Sequence, residues 1–387
     1  MNRNPSIFFS FFLFPLLVFG TDAGENGANV LDVFNLPSTQ SMVVAEGKGY
    51  FPVLQCIKER LFVVFRAGGG HLGRGGRLES LWSFKNGTFH ESPGVVVDGP
   101  EDDRNPAMGV TATGRVIVAY HEQGSYNPDG SYDSKNPYGR AHCRFTYSDN
   151  DGNTWVPPKP LGVAGLDSCS PYGRIIRTGA NLLLLTVYGP YSQQVPGMEN
   201  ARNDLNYYAY LVRSHDNGET WGEPSLIGAG YNETALLLLP DGSLQAAARS
   251  IGDQRIDLSL SRDGGFTWSS FRRITGPMQH PADLLRLSNG WMLLLYGDRG
   301  AEQKMIRGIV SRDEGRTWDI SYTCLFSRPV TGDFGYPSAA AWPDGRIAVM
   351  YYWAGDAANS YDGGKAQARM TLFRESEWIS AYQNMIH

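Results

Sequence analysis

The sequence predicts an all-β fold, a six-bladed β-propeller, and three observations support this prediction. A strand–turn–strand frame recurs six times along the chain, an eight-residue turn pattern recurs between these frames, and 46 Gly and 22 Pro among 387 residues supply many turns. Four-stranded blades around a central axis leave few exposed sheet edges. We therefore expect a single domain of this kind over residues 24–387.

The strand–turn–strand frames begin, in most copies, with a Pro and turn at a Gly. Pro337 and Gly345 are one such pair. Because Pro has no backbone donor, it suits the first residue of a strand, and Gly accepts the positive φ of a hairpin turn. We expect each frame to be the inner hairpin of one blade, and the frames are residues 49–66, 103–122, 169–189, 231–249, 280–299 and 335–353.

The eight-residue pattern is S-x-[D/N]-x-G-x-T-W. Its acidic or amide side chain can bond the amides of the turn, its Gly takes the left-handed position, and its Trp packs beneath the turn. The pattern therefore indicates structure, and we assign its aspartates no role in catalysis. Four copies occupy residues 148–155, 214–221, 261–268 and 311–318, and residues 83–90 form a decayed copy.

Shorter segments complete the predicted architecture. Residues 41–45 are expected to add a strand to the last blade beside residues 366–373 and so close the ring. Residues 375–384 predict a short helix, whereas residues 123–139 and 191–203 lack periodicity and are predicted to be loops.

The N-terminal segment, residues 1–23, predicts an exported protein. Arg3 is followed by an apolar run over residues 7–19 that contains Pro15, and small residues follow this run. Such a run is short for a membrane span and typical of a signal peptide. We expect the mature protein to be soluble, secreted and monomeric, with no membrane partner.

Charge and cysteine content narrow the range of partners. The net charge of −5 gives no reason to expect nucleic acid or an anionic membrane as a partner. We expect no metal and no cofactor, because no Cys or His cluster has a metal-binding spacing. Up to two disulfides are allowed in an exported chain by Cys56, Cys143, Cys169 and Cys324.

Polar residues are predicted to converge at one end of the propeller axis. The first strand of each blade starts beside the axis, so the residues just before the Pro of each frame should meet there. A structural core would fill these positions with Val and Leu, whereas the residues found here favour a site. They are Phe51, Asn105, Ser170, Glu233, His280 and Tyr336, and the returning strands end nearby at Arg66, His121, Tyr188, Arg249, Arg299 and Tyr352.

Glu233 and Tyr336 form the pair with the clearest chemistry. A phenol with an ordinary pKa of about 10 is a weak nucleophile at neutral pH, but a neighbouring carboxylate can accept its proton during attack. A Tyr nucleophile is used by sialidases among glycosidases, and a neutral nucleophile avoids repulsion from an anionic sugar. The expected partner is therefore the terminus of a glycan or polysaccharide.

The chain resembles the sialidase superfamily over roughly residues 41–375. The octets, the hairpin N-E-T…D-G-S-L…A-A-A-R over residues 232–249 and the strand G-Y-P-S…P-D-G over residues 335–345 carry the resemblance. It implies that Tyr336 and Glu233 are the nucleophile and its base. It also implies that Arg249 is one arm of a three-arginine clamp on the substrate carboxylate. Such enzymes release a terminal sialic acid with retention and need no metal for chemistry.

The sequence also departs from the pattern of that superfamily. Residues 50–52 lack the clamp arginine of the family motif F/Y-R-I-P, Gln303 occupies the position of the third clamp arginine, and Tyr352 replaces a carboxylate. Candidate substrate contacts that could replace the missing groups are Arg66, Arg104, Arg299, Arg307, His280 and Tyr352.

The family's proton donor, an Asp in the first-blade loop, has no counterpart in residues 66–73. His71, or a carboxylate of Asp102 or Asp103, could supply the proton instead. An imidazole with an ordinary pKa of about 6.5 suits this task. We therefore treat His71 and Asp103 as candidate catalytic residues.

Three functions are compatible with these residues. The first is a secreted retaining exo-glycosidase of the sialidase type that acts on a terminal acidic sugar. The second is an exo-arabinanase or a polysaccharide lyase on a related propeller, which the missing clamp arginines favour. The third is a lectin-like propeller that retains Glu233 and Arg249 for binding without turnover.

Overall fold

The computed structural model describes residues 29–202, 205–355 and 363–387. The predicted signal peptide, residues 1–23, lies outside these ranges, as does Asn203 at the end of a predicted loop. Strands dominate the described ranges, so the predicted all-β class is confirmed. No helix in these ranges combines the length and the apolar character needed to cross a membrane.

Two N-terminal strands complete sheets whose other strands come from the C-terminal part of the chain. Strand β1 (Val30–Asp32) runs parallel to residues 323–325, and strand β2 (Gln40–Glu46) runs antiparallel to residues 367–374. A 3-10 turn, Val33–Asn35, separates the two strands. The prediction that residues 41–45 add a strand to the last sheet is thus confirmed.

The first complete sheet has four antiparallel strands in chain order. Its inner hairpin turns at Lys58 and Glu59, which both adopt a positive φ, and its second strand is rich in Val and Phe, which suit a pleated surface buried on both faces. The strands are β3 (Tyr50–Ile57), β4 (Arg60–Ala67), β5 (Arg77–Trp82) and β6 (Gly94–Val97).

The second sheet has eight strands, formed by two runs of four that meet through a short parallel contact. Gly173 and Arg174 of the second run pair with Ala107 and Met108 of the first run. The strands are β7 (Asp102–Val110), β8 (Val116–Gln123), β9 (Ala141–Ser148), β10 (Lys159–Pro160), β11 (Ser170–Arg177), β12 (Leu183–Gly189), β13 (Tyr208–Ser214) and β14 (Gly222–Ala229).

Three further sheets follow, and their strands are antiparallel except for β1, which is parallel to its neighbour. The first consists of β15 (Tyr231–Leu238), β16 (Leu244–Ser250), β17 (Ile256–Ser261) and β18 (Arg272–Arg273). The next combines β1 with β19 (Gln279–Arg286), β20 (Met292–Asp298), β21 (Met305–Ser311) and β22 (Thr323–Leu325). The last combines β2 with β23 (Asp333–Ala341), β24 (Arg346–Gly355) and β25 (Gln367–Arg374).

The first strands of successive runs contact one another in a closed series. Strand β3 contacts β7, and the series continues through β11, β15, β19 and β23, which returns to β3. Apolar side chains fill the space between neighbouring sheets, as where Leu54 and Val63 share a buried cluster with Met350 and Met370. This circular arrangement of sheets is a β-propeller, and it brings the starts of the first strands to one axis.

The C-terminal helix α1 (Glu375–Ile386) covers the edge of the core beside the last two sheets. Trp378 and Tyr382 are fully buried, and their rings contact Phe326 and Trp291. Glu375 Oε1 accepts a hydrogen bond of 2.6 Å from the amide of Ser288. The predicted helix is confirmed, and it ends at Ile386 rather than at residue 384.

The octet repeat forms turns between the third and fourth strands of its sheets, as in residues 261–268. Ser261 Oγ donates to Asp263 Oδ1 at 2.8 Å, and Asp263 accepts hydrogen bonds from the amide and hydroxyl groups of Thr267 at 2.9 and 2.6 Å. The amide of Gly265 donates to Ser261 Oγ at 2.8 Å. The structural role predicted for this repeat is confirmed.

The four cysteines form no disulfide, so the two bridges that the sequence allows are absent. Burial raises the pKa of the thiols of Cys143, Cys169 and Cys324. These residues therefore pack as small apolar side chains.

A cluster of polar contacts joins β11, β19 and β23. Arg174 donates to Asp283 Oδ1 at 2.6 Å and to the carbonyl oxygen of Ala339. Asp283 Oδ2 accepts the amide of Ala339 at 2.8 Å. A cavity of about 20 Å³, enough for about one water, is lined by both Asp283 and Tyr336.

Candidate active site

The first strands of the propeller are irregular at the positions predicted to face the axis. Five of the six have a β-bulge at these positions, which redirects the side chains it contains, and the register of β11 is interrupted further along, between Tyr172 and Ile176. Phe51, Asn105 and Tyr336 adopt φ angles of 53°, 50° and 53° there, a strained conformation typical of functional sites. The interruptions fall at residues 51–52, 105–106, 232–233, 280–281 and 336–337.

The bulged strands open into a cavity of about 170 Å³. This volume lies below the roughly 300–1,000 Å³ of sites for drug-sized ligands, so it suits a single sugar-sized unit. Its strand-borne wall includes Arg104, Asn105, Tyr188, Glu233, Arg249 and Tyr336.

Loops supply the remaining wall of the cavity. The β8–β9 loop contributes Tyr132, Pro137 and Tyr138, and Tyr207 comes from the segment before β13. The rings of Tyr138 and Tyr207 meet edge to face with centroids 6.1 Å apart. The predicted irregular character of residues 123–139 is borne out for most of that segment, and the loop forms part of the site.

Tyr336, Glu233 and Arg249 form a hydrogen-bonded chain along the cavity wall. Tyr336 Oη donates to Glu233 Oε1 although the residues lie 103 positions apart. Arg249 Nη1 donates to Glu233 Oε2 at 2.6 Å, and its Nη2 donates to Gln254 Oε1 at 2.8 Å. The side chain of Glu233 is only 3% exposed. The two predicted partners and the predicted clamp arginine are therefore in direct contact.

Burial and charge set the protonation of this chain. Burial raises the pKa of Tyr336 well above its ordinary value, and the Glu233 carboxylate raises it further. Burial works to lower the pKa of Arg249, but Glu233 and the phenols of Tyr336 and Tyr188 together outweigh burial and raise it. Tyr336 is therefore a neutral phenol at physiological pH, and it can become a nucleophile only by losing its proton during attack.

A second cation, Arg104, reaches the cavity from β7. Its Nη2 donates to the carbonyl oxygen of His71 at 2.7 Å, and its Nη1 lies 3.5 Å from Asp102 Oδ2. Burial opposes the charge of Arg104, but Asp102 and the nearby phenols, among them Tyr126, together outweigh burial and raise the pKa of the guanidinium. Arg104 and Arg249 are thus two fixed positive charges on the wall, suited to an anionic ligand.

His71 lies at the cavity wall within a cluster of polar side chains. Its Nδ1 is 2.8 Å from Asp333 Oδ2, and the Tyr352 hydroxyl donates to Asp333 Oδ1 at 2.6 Å. Arg299 Nη1 lies 3.6 Å from the same Asp333 oxygen. Burial lowers the pKa of His71, while Asp333 opposes this change. The cluster joins a titratable group of the cavity to a carboxylate behind it.

The chain matches the BNR repeat-like domain family over residues 88–349. It belongs to this family. Within the superfamily of sialidase-like BNR propellers, it is a divergent member.

Curated relatives and solved structures resemble this BNR protein at low identity. A sialidase from Paraclostridium sordellii is 28% identical over 170 residues, which are 42% of this chain and 40% of the relative. A crystal structure of a protein of unknown function from Dyadobacter fermentans is 22% identical, with a TM-score of 0.70 over 88% of this chain and 100% of that one. The Hadza microbial sialidase is 17% identical, with a TM-score of 0.62 over 86% and 66%. These structures support the propeller fold.

Arg66 has a different place in the BNR fold from the one predicted. It is fully buried, and its five N–H groups are all bonded: to Asp102, and to the carbonyl oxygens of Gly69, Gly70 and Gly73. A guanidinium without exposed surface or a free donor does not bind a substrate. The prediction of Arg66 as a substrate contact is wrong, and its role is to hold the loop over residues 69–73.

Asp103 also does not reach the cavity in which it was predicted to act. Neighbouring residues of a strand face opposite sides, so Arg104 reaches the cavity while Asp103 is fully buried away from it. Asp103 Oδ2 accepts the amide of Gly99 at 2.6 Å, and its Oδ1 has no partner among the described residues. The prediction of Asp103 as a catalytic residue is corrected on this ground.

The other residues predicted to contact the substrate are not part of the cavity wall. Arg307 is bonded to Asp298 at 3.1 Å, Arg299 and Tyr352 belong to the Asp333 cluster, and His280 is buried with a strongly lowered pKa, about 2, caused first by burial. None of these four residues lines the cavity in the described structure.

Sequence reasoning missed Asp333 and the tyrosines of the loops. Only the residue directly before the Pro of each frame was predicted to face the axis. Asp333 stands three positions before Tyr336 and was therefore not considered. Two features of the sequence could have indicated Asp333. It is a carboxylate between turn residues and the apolar start of a strand, and Tyr352 stands where the family has a carboxylate, so a carboxylate from elsewhere could take that place. Tyr132, Tyr138 and Tyr207 lie in loops without periodicity, so no pattern marked them.

Proposed function

We propose that this BNR-family protein is an exported, monomeric glycoside hydrolase of the sialidase type that releases a terminal acidic sugar. The observation that carries the proposal is the hydrogen bond from Tyr336 to Glu233 on the wall of a cavity of about 170 Å³. The curated sialidases that share part of the chain support it. The chain spans about two fifths of the length of these relatives, so the activity rests on the site itself.

The proposed architecture is six-bladed. The closed series of first strands from β3 to β23 supports this count, with the eight-stranded sheet divided into two blades at the short contact of Gly173 and Arg174 with Ala107 and Met108. This contact consists of two residue pairs, whereas β7 and β8 in the first run, and β12 and β13 in the second, are joined by seven.

In the proposed reaction, Tyr336 Oη attacks the anomeric carbon as the bond from that carbon to the glycosidic oxygen breaks, and Glu233 accepts the phenol proton. The neutral phenol carries no charge to repel the carboxylate of the sugar. The departing oxygen takes up a proton and leaves as an alcohol. Water then displaces the phenolate oxygen and gives up one proton, which balances the proton taken by the alcohol, and protonated Glu233 returns its proton to Tyr336. Because the anomeric carbon is attacked twice, the configuration is retained.

Arg249 and Arg104 are proposed to bind the carboxylate of the sugar. Arg249 is held by Glu233 and Gln254, and Arg104 by Asp102 and the His71 carbonyl. Fixed guanidinium groups lose little freedom on binding an anion. Two arginines in this cavity would therefore replace the clamp of three that the resemblance implies.

The proposal is tested by release of an aryl alcohol from 4-methylumbelliferyl α-sialoside. The purified protein and its Tyr231→Phe variant should release the alcohol, whereas Tyr336→Phe should release none. Tyr231 is a matched control, because its hydroxyl also donates to a carboxylate, Asp257 Oδ2 at 2.8 Å, outside the cavity. Equal activity in both variants, or no release by the unaltered protein, would contradict the proposal.

A second function, elimination at a uronate terminus, is favoured by one observation. The cavity wall carries two imidazoles, His71 and His121, and the phenol of Tyr188 beside its arginines, residue types that can move a proton next to a carboxylate. An unsaturated product from a uronate-ended oligosaccharide, detected by its ultraviolet absorbance, would select this reaction over hydrolysis.

A further inference from the structure

We propose that His71, held in place by Asp333, donates the proton to the departing alcohol in the reaction proposed above. The inference rests on that proposed function. Its basis is geometric: His71 lines the same cavity as Tyr336 and Glu233, and its Nδ1 is 2.8 Å from Asp333 Oδ2. His71 would be a catalytic residue, and Asp333 a positioning residue that acts through it.

The ring nitrogens of His71 have separate roles in this arrangement. Nδ1 faces Asp333, and a carboxylate that accepts from Nδ1–H fixes the orientation of the ring. Nε2 has no hydrogen-bond partner among the described residues, and the side chain is 26% exposed. Nε2 is therefore the nitrogen that is free to give its proton to a group in the cavity.

Two arginines bind the backbone of the loop that carries His71. Arg66 bonds the carbonyl oxygens of Gly69, Gly70 and Gly73, on both sides of His71. Arg104 bonds the carbonyl oxygen of His71 itself at 2.7 Å. A loop tied at these four carbonyls keeps the imidazole in place without help from a ligand, as general acid catalysis requires.

His71 and Tyr336 both contact the ring of Phe51. The Phe51 ring centroid is 5.1 Å from that of His71 and 4.7 Å from that of Tyr336. Tyr352 also contacts both rings, with centroids 6.2 and 5.8 Å away. A nucleophile and an acid placed around one sugar-sized cavity can act on the two ends of the bond that breaks.

The proton balance of the proposed step is complete. The bond from the anomeric carbon to the leaving oxygen breaks, the oxygen takes the proton from protonated His71 Nε2, and the carbon forms a bond to Tyr336 Oη. Neutral His71 then accepts a proton from the incoming water as that water displaces Tyr336. No oxidant, metal or other reactant enters these steps.

The groups that face His71 set the pH at which it is protonated. Asp333 favours the imidazolium, whereas burial and the cations Arg104 and Arg299 oppose it. The phenols of Tyr352 and Tyr50 also pack against the ring. Since Asp333→Asn takes away the carboxylate that contacts this ring, this variant should move the alkaline limb of kcat/KM to lower pH.

The experiment compares two glycosides of one sugar with different leaving groups. An aryl alcohol leaves without much help, whereas the lactose of sialyllactose needs a proton donor. His71→Gln should therefore lower kcat/KM for sialyllactose by about 10²–10⁴-fold, with a much smaller loss for 4-methylumbelliferyl α-sialoside. Asp333→Asn should show a smaller loss on sialyllactose together with the shifted pH profile.

The chain offers a matched control pair. His215 Nε2 lies 2.9 Å from Glu223 Oε2 on the surface, with both side chains more than half exposed. His215→Gln and Glu223→Gln should leave both substrates and the pH profile unchanged.

The outcomes separate the two proposals. Equal losses on both glycosides in His71→Gln, or no loss on either, would overturn the role of His71 while the Tyr336 chemistry stands. An unshifted pH profile in Asp333→Asn would overturn the positioning role of Asp333. No turnover of either glycoside by the unaltered protein would overturn the proposed function, and the proton donor with it.

Discussion

Arg66 and Asp102 form an ion pair in which Nη2 and Oδ1 are 2.6 Å apart and neither side chain is exposed. The pair joins β4 to β7, the second strand of one sheet to the first strand of the next. Asp102 also accepts a hydrogen bond from Tyr126, so three elements meet at this carboxylate. The pair therefore fixes both the sheet junction and the loop that carries His71.

Asp102→Ala should destabilise the protein by about 3–5 kcal/mol, because it leaves the Arg66 charge buried without its partner. Chemical denaturation with two probes of unfolding would measure this change. Lys58 and Asp151 provide the control pair: they are 2.7 Å apart but 61% and 32% exposed. Asp151→Asn removes the charge and keeps a residue that tolerates the positive φ of this position, so it should cost at most about 1 kcal/mol. Similar costs for the two variants would contradict the structural role of the buried pair.

Arg104→Gln should weaken the binding of a free acidic sugar. A hydrogen bond to a charged group contributes about 1.5–3 kcal/mol, so the loss should be about 10–100-fold in Kd. Titration calorimetry with N-acetylneuraminic acid would measure it. Arg115→Gln is the control, because Arg115 pairs with Asp149 and Glu219 outside the cavity. An unchanged Kd for Arg104→Gln would remove Arg104 from the binding site.

Asp103 should make the fold less stable as the pH rises. Burial raises its pKa from 3.8 to about 7, against the hydrogen bond from the Gly99 amide. The folded protein then binds this proton more tightly than the unfolded chain does. Stability should therefore be lost as the pH rises between the two values, by up to about 1.4 kcal/mol per unit of pKa difference.

Asp103→Asn tests this dependence, because its amide keeps the acceptor for Gly99 and cannot ionise. Unfolding free energies at pH 4 and pH 8 would be compared by denaturant titration. The variant should gain stability relative to the unaltered protein at pH 8 but not at pH 4. An equal difference at both pH values would show that Asp103 does not titrate with folding.

Asp263→Ala should destabilise the turn at residues 261–268 without loss of turnover. The carboxylate accepts hydrogen bonds from Ser261 and Thr267, and those from Thr267 are the main cause of the lowered pKa of about 2. Its contribution is present above the unfolded pKa and is lost as the pH falls through about 2. Because Asp263 is exposed, we expect a cost of about 1 kcal/mol, measured by thermal unfolding. Reduced kcat/KM at unchanged stability would give this repeat a catalytic role.

Local periodicity made most of the fold predictable. The octets, the closing strand and the C-terminal helix all depend on neighbours in sequence, and they form as predicted. The Pro residues of the frames differ from the prediction: Pro106 and Pro337 are each the fifth residue of a strand, at a β-bulge, rather than the first. Glu233 and Tyr336 could be found because both occupy the same position in a repeated frame. The circular arrangement of the sheets then brings the two side chains into contact, although they are far apart in sequence.

The environment of each side chain was harder to predict. Arg66 ends its strand as Arg249 does, but three glycine carbonyls and Asp102 surround it, and the sequence does not show how the loop over residues 69–73 folds back. Asp103 and Arg104 are adjacent, and only the register of β7 decides which of them meets the cavity. Such differences depend on contacts between sheets, which periodicity does not encode.

The contact of Arg174 with Asp283 and Ala339 joins strands of three sheets, although Arg174 lies more than 100 positions from either partner. Strand β23, which carries Tyr336, is thereby anchored to β11 and β19 through one guanidinium. The position of the proposed nucleophile therefore depends on the docking of sheets that are remote in sequence, and it is a property of the assembled ring rather than of the local sequence.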